Sequence, residues 1–168
     1  MRPSSINVQD IPVRTTQDFS TRPVHAIFWA GTACGVLDIT AAFITWGVQG
    51  VSPFRLLRAI ASGLLGPEAF GGGWQTSLLG AFFHFFIAFS AAAVFYAASR
   101  RMKFLTQHAA LSGIAYGVAV YLLMYWIVIP LSRLQPMPFS ISRTMLAIVT
   151  HMVCVGLPIS LVVRKFSN

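Results

Sequence analysis

Acidic residues are scarce in this chain: Asp and Glu together number 4, against 12 Lys and Arg, in 168 residues. Charged residues make up 10% of the sequence and hydrophobic residues 56%, whereas soluble proteins average about 25% charged. A soluble domain of this size has too high a surface-to-volume ratio to bury so much apolar surface. The composition, with a mean hydropathy of +0.71, excludes a soluble domain and predicts an integral membrane protein.

Cysteine is also rare, and both copies, Cys34 and Cys154, fall inside apolar runs. This excludes a disulfide framework and a C-x-x-C zinc pattern, and favours two reduced packing residues. The sequence contains no nucleophile elbow, no Walker loop and no kinase signature. We therefore expect no enzyme of the soluble type.

Four apolar runs of membrane-spanning length follow a polar N-terminal segment. A hydrocarbon core of about 30 Å requires about 20 apolar residues in a helix, and backbone groups in lipid must be satisfied within that helix. We predict a disordered cytoplasmic tail at residues 1–22 and an all-α domain, a bundle of four transmembrane helices, at residues 23–165. The predicted spans are residues 24–48, 74–98, 109–130 and 142–163.

Basic residues lie at the ends of these runs and not in one patch, so lipid is the expected partner and nucleic acid is not. Eight Lys and Arg residues fall on the side of the termini and four on the opposite side. Positive residues concentrate on the cytoplasmic side of a membrane. We therefore predict a multi-pass protein of the bacterial inner membrane with both termini in the cytoplasm.

The first outer loop carries the signals of a helix of its own. Ser52-Pro53 is typical of a helix start and Gly66-Pro67 of a helix stop. Between them, apolar side chains fall on one side of the helix, and Arg55 and Arg58 fall on the adjoining side. We predict an interfacial amphipathic helix at residues 52–65; a re-entrant cap over the bundle is the alternative.

The first span places a carboxylate, Asp38, on a stripe of small residues that begins with Gly31 and Gly35. Small residues allow another helix to approach closely, and a carboxylate is too costly to face hydrocarbon. The stripe is therefore predicted to face the interior. Similar stripes on the other spans predict these helix-packing glycines: Gly31, Gly35, Gly80, Gly113 and Gly117.

Each of the other spans has a polar side chain at the depth of Asp38, when residues are counted from the span ends at 1.5 Å each. We call Asp38, His84, Tyr121 and His151 the polar cluster. Its members either relay protons or bind a small solute, or they form interhelical hydrogen bonds in a structural or accessory subunit of a membrane complex.

Two further hypotheses give the polar cluster a metal or a haem. His84 and His151 would ligate haem b in an electron carrier, or Asp38 would join them in a two-His-one-carboxylate metal site. The sequence offers no basic residue at that depth to hold haem propionates, and no spaced metal motif. We therefore expect no cofactor, with haem b as the alternative.

The second span carries more aromatic residues than one packing face can use, so we predict a homodimer or a membrane partner subunit.

Short motifs also resemble a known family. The likeness is to the small uncharacterised YagU-like inner-membrane proteins of bacteria. It rests on three motifs: H-x3-A-x3-A starting at residue 84, I-P-L-S starting at residue 129, and H-M-V-C-V-G-L-P-I starting at residue 151. The resemblance implies a four-span inner-membrane protein and assigns no chemistry to any residue.

Overall fold

The computed structural model describes residues 16–134 and 139–167, and within these ranges the chain is helical with no strand. Four of the helices are long and apolar enough to cross a membrane. The all-helical class and the four candidate spans predicted from the sequence are therefore confirmed. The described helices, with their bounds, are α1 (Thr16–Gly47), α2 (Pro53–Leu65), α3 (Trp74–Arg101), α4 (Phe104–Gln107), α5 (Ala109–Leu131) and α6 (Ile141–Ser167).

The start of α1 and the segment after α2 differ from the sequence prediction. Helix α1 begins at Thr16, so residues 16–22 are helical although the predicted tail includes them, and residues 1–15 lie outside the described part of the chain. A 3-10 helix, Gly66–Gly71, follows α2 directly. It is separated from α2 by the positive φ of Gly66, 72°, which a residue with a side chain rarely adopts.

Helices α5 and α6 each contain a π-helical turn, at Met124–Val128 and His151–Gly156. In these turns the N–H of Ile129 bonds to the carbonyl of Met124, and the N–H of Leu157 bonds to that of Met152. Each turn ends two residues before a proline, Pro130 or Pro158. Proline lacks an N–H and its ring clashes with the carbonyl four residues earlier. A π-helical turn relieves both problems without breaking the helix, and we call the two π-helical turns the wide turns of α5 and α6.

The buried core lies where α1, α3 and α6 meet. Helix α1 packs against α3 and α6, and α6 packs against α5. Within α6, residues 151–167 make most of the contact with α1. The core residues are small or branched apolar side chains together with one aromatic ring: Ala30, Cys34, Ala88, Ala92, Phe95, Val155, Ile159 and Val163.

Helix α2 begins as the sequence signals indicate, with the Ser52 hydroxyl accepting a hydrogen bond from the N–H of Arg55 at 3.3 Å. It packs against the start of α3, where the Ser77 hydroxyl donates to the carbonyl of Phe54 at 3.3 Å. Its other end meets the loop after α5, where the N–H of Arg133 donates to the carbonyl of Gly63 at 2.8 Å. Helix α2 thus bridges two of the spans on the side of the protein opposite the end of α6.

Candidate intramembrane site

Asp38 lies one turn beyond Cys34 on α1, at the margin of the buried core. Cys34 is 1% exposed, whereas Asp38 is half-buried. In the described part of the chain no hydrogen bond or ion pair reaches the Asp38 carboxyl group. Helix α1 contacts the wide turn of α6, and Asp38 lies within electrostatic range of Cys154 in that turn. The structure therefore places an unpaired acid on the helix that contacts this turn.

His84 lies between α3 and α1. Its Nε2 is 2.8 Å from the carbonyl oxygen of Gly35, and because a carbonyl only accepts, Nε2 is the protonated nitrogen. The absence of a side chain at Gly35 leaves room for the neighbouring Phe85 ring, which a Cβ there would meet at 2.7 Å. The imidazole of His84 is thus a bridge from α3 to the backbone of α1.

His151 opens the wide turn of α6 and faces α5. Its Nδ1 donates to the carbonyl of Ala147 at 2.8 Å, within its own helix. Its ring meets the Tyr121 ring edge-on, with 5.6 Å between the ring centroids and 75° between the planes. Because Nδ1 is the donor, Nε2 of a neutral His151 is left as the acceptor nitrogen.

The polar cluster is therefore divided among three helix contacts. Tyr121 and His151 meet at the contact of α5 with α6, His84 lies at the contact of α3 with α1, and Asp38 lies on α1 near α6. Within residues 16–134 and 139–167, no hydrogen bond joins these three places. The common depth of the four residues does not bring them into one connected group in this conformation.

The same geometry bears on the metal and haem hypotheses. Among the described residues, no group of three His, Cys, Asp or Glu side chains is arranged to hold a metal ion. A pair of axial haem ligands would need both imidazoles to turn one nitrogen toward the same iron. Nε2 of His84 instead donates to Gly35.

Tyr116, which the sequence analysis did not single out, connects α5 to α3. Its hydroxyl donates to the carbonyl of Ala91 at 2.8 Å, and its ring meets the ring of Phe95 at 5.0 Å between centroids. Tyr116 stands next to Gly117, so its position beside a packing glycine was a signal available in the sequence. Counting residues from the span ends selected Tyr121 instead, which lies five residues further along the chain.

The five predicted packing glycines each lie close to another segment. A methyl group at Gly31 or Gly35 would meet Phe89 or Phe85, and one at Gly80 would overlap the carbonyl of Leu57 on α2. Gly113 and Gly117 face the wide turn of α6. Gly156 completes that crossing and was not among the predicted positions, although it lies one turn before Ser160 on the same face.

The crossing of α5 and α6 brings backbone against backbone. A methyl group at Gly117 would stand 2.6 Å from the Cα of Met152, and one at Gly156 would stand 2.6 Å from the backbone nitrogen of Gly117. The wide turn of α6 can therefore place His151 next to α5, since no side chain keeps the two helices apart there.

Comparison with protein-family models, with curated proteins and with solved structures returns no match.

Proposed function

We propose that this integral membrane protein handles protons, alone or together with a small solute, through Asp38. The single observation that supports the proposal is the carboxyl group of Asp38, half-buried within a candidate span and without a hydrogen-bond or ion-pair partner in the described part of the chain. Ionisable groups inside membrane spans are rare and commonly mark ion or proton paths.

The energetic argument concerns the ionised form of Asp38. An aspartate at the centre of a spanning helix costs about 2.5–3.5 kcal/mol on the insertion scale. No described donor or cation offsets that cost, so a structural ion pair does not account for the acid. A carboxyl group that water reaches from alternate sides of the membrane can carry one proton per cycle.

The histidines take different roles in this proposal. His151 sits in the wide turn, and its acceptor nitrogen is the second group that can take up a proton. His84 uses its N–H on the Gly35 carbonyl, and it holds α3 on α1 next to the turn that carries Asp38. Tyr121 supports the His151 ring by its edge-on contact.

A second candidate function, a structural or accessory subunit of a membrane complex, is favoured by a different observation. His84 and Tyr116 each direct a polar atom at a backbone carbonyl of a neighbouring helix. Such bonds stabilise helix association by about 0.6–2 kcal/mol each and require no further activity. Proton handling requires an ionisable group at Asp38, whereas the accessory role does not.

The test is proton flux into proteoliposomes that carry the purified protein and an enclosed pH-sensitive dye, under an imposed membrane potential. Asp38→Asn keeps the shape of the side chain and removes the ionisable group, so flux should fall to the level of protein-free liposomes. Asp38→Glu should retain part of the flux. Glu68→Gln, which changes an exposed acid outside the spans, is the matched control and should leave the flux unchanged.

Equal flux in the wild type and in Asp38→Asn would overturn the proposal and leave the accessory role.

We also propose, from the distribution of Lys and Arg, that the protein lies in the bacterial inner membrane with both termini in the cytoplasm. The side that carries α2 then faces outward.

A further inference from the structure

A second charged site lies apart from the polar cluster, on the side of the protein that carries α2. A cleft of about 390 Å³ is lined by Ser52, Phe54, Arg55, Arg58 and Phe70. Most of these residues are exposed, so the cleft opens to the surroundings, whereas Arg58 is partly buried. Two guanidinium groups one turn apart on the same helix thus share one opening.

Arg58 holds a hydrogen-bond donor that the protein does not satisfy. Its Nε is buried and has no hydrogen-bond partner among residues 16–134 and 139–167, while one terminal nitrogen lies 3.5 Å from the carbonyl of Phe70, at the limit of a weak bond. Leaving a buried donor of a charged group unsatisfied is unfavourable. The terminal N–H groups of the same guanidinium can donate to a ligand in the cleft that Arg58 lines.

Neither arginine of the cleft is neutralised by an acid of the described chain. Glu68, on the 3-10 helix that supplies Phe70, forms no ion pair with Arg55 or Arg58. Arg55 instead lies over the Phe70 ring, with its central guanidinium carbon 5.8 Å from the ring centroid. The cleft therefore has two positive charges, one apolar wall and one unsatisfied donor.

We propose that this cleft binds a phosphate group. Arginine presents several N–H donors in a planar fork that matches phosphate oxygens, and both Arg55 and Arg58 line the cleft. Helix α2 packs on α3 at Ser77 and Gly80, within two turns of the start of that span. The cleft is thus at the level of lipid headgroups, where a phospholipid or free phosphate supplies the ligand.

The position of the phosphate follows from the lining. Its oxygens accept from the terminal guanidinium nitrogens of Arg58 and from the guanidinium of Arg55 at the rim. Phe54 and Phe70 provide the apolar wall, against which the glycerol and first acyl carbons of a lipid pack. An anionic lipid fits better than a zwitterionic one, because both carry one phosphate and the two arginines repel the positive headgroup of the zwitterionic lipid.

The test is equilibrium binding to the purified full-length protein in neutral detergent. The ligands are short-chain phosphatidylglycerol, short-chain phosphatidylcholine and inorganic phosphate, each titrated separately. Arg58→Gln should weaken phosphatidylglycerol binding about tenfold or more, the loss that follows from removing a charge-assisted hydrogen bond. Arg58→Lys keeps the charge without Nε and should also weaken it, and so should Arg55→Gln at the exposed rim.

Arg133→Gln is the control, because Arg133 is an exposed arginine on the same side of the protein and does not line the cleft. It should bind phosphatidylglycerol as the wild type does. Phosphatidylglycerol binding that depends on Arg55 and Arg58 identifies the ligand as a lipid phosphate. Inorganic phosphate binding with the same dependence identifies free phosphate as the source. Binding that is absent, or equal in the wild type and all three cleft variants, would overturn the proposal.

Discussion

The crossing of α5 and α6 is the part of the structure most sensitive to a single added methyl group, and Gly156→Ala tests it. A Cβ at this position would stand 2.6 Å from the nitrogen of Gly117 and 2.9 Å from the carbonyl carbon of Gly113, and closer still to the Gly113 oxygen. Real Cβ atoms essentially never approach other atoms within 3.0 Å. All three obstacles are backbone atoms, so no rotation of a side chain relieves them, and the helices must separate.

The magnitude is a balance of two terms. Replacing glycine by alanine inside a helix gains up to about 1 kcal/mol, because glycine loses more backbone freedom on folding. Overpacking costs about 1–3 kcal/mol, and rigid backbone neighbours place this site at the upper end. We expect Gly156→Ala to lower the free energy of unfolding by about 2 kcal/mol.

The assay is reversible unfolding in mixed micelles with a rising fraction of SDS, followed by tryptophan fluorescence. Gly47→Ala is the matched control, because nothing lies within 4 Å of its added Cβ, and its stability should stay within about 0.5 kcal/mol of the wild type. If Gly156→Ala proves as stable as Gly47→Ala, the backbone-on-backbone crossing is wrong.

Three further predictions concern hydrogen bonds, a wide turn and topology. Tyr116→Phe and His84→Phe each remove one hydrogen bond to a neighbouring helix and should each destabilise the protein by about 0.6–2 kcal/mol. Their effects should add within about 0.5 kcal/mol, since the bonds lie about 10 Å apart along α3, and a clearly non-additive double variant would contradict this. Pro158→Ala supplies an N–H and removes the ring clash, so amide hydrogen exchange across residues 151–156 should slow; unchanged exchange would count against proline as the cause of the turn. In intact cells a membrane-impermeant maleimide should label Glu68→Cys but not Phe104→Cys, and the reverse pattern would overturn the proposed orientation.

The number and length of the candidate spans were predictable from the sequence because they follow from counting. Four apolar runs of sufficient length predict four candidate spans, whereas the depth of Asp38 and His151 stays a prediction. The N-cap at Ser52 and the stop at Gly66 also carry local signals that need no tertiary context. These features depend on the chain segment alone.

The grouping of the polar cluster was not predictable in the same way. Which helix each side chain faces depends on the packing order of the helices, and a wide turn that inserts one residue rotates the rest of its helix by about 100°. Pro130 and Pro158 were visible signals for such turns, but the sequence prediction did not use them. Tyr116 and Tyr121 both precede the wide turn of α5 and lie five residues apart, about 140° around a regular helix. Tyr116 therefore reaches α3 while Tyr121 meets His151, a difference of direction that counting depth omits.

Helix α2 shows the same limit. Its apolar face was predicted from periodicity, but the surface that it covers was not, because Gly80 was expected to face another span. In the structure Gly80 receives the Leu57 carbonyl of α2. Whether α2 also lies in the lipid interface remains a prediction, and the phosphate proposal depends on that location.

The central claim, that Asp38 binds and releases a proton within the membrane, is tested most directly by infrared difference spectroscopy of the reconstituted protein at two pH values. Asp38 is the one acid in the sequence that falls inside a predicted span, so its protonated carboxyl band can be assigned by substitution. The account predicts a carbonyl band that appears on acidification, shifts in deuterium oxide, persists in Glu68→Gln and is absent from Asp38→Asn. The same band at full strength in Asp38→Asn would contradict it.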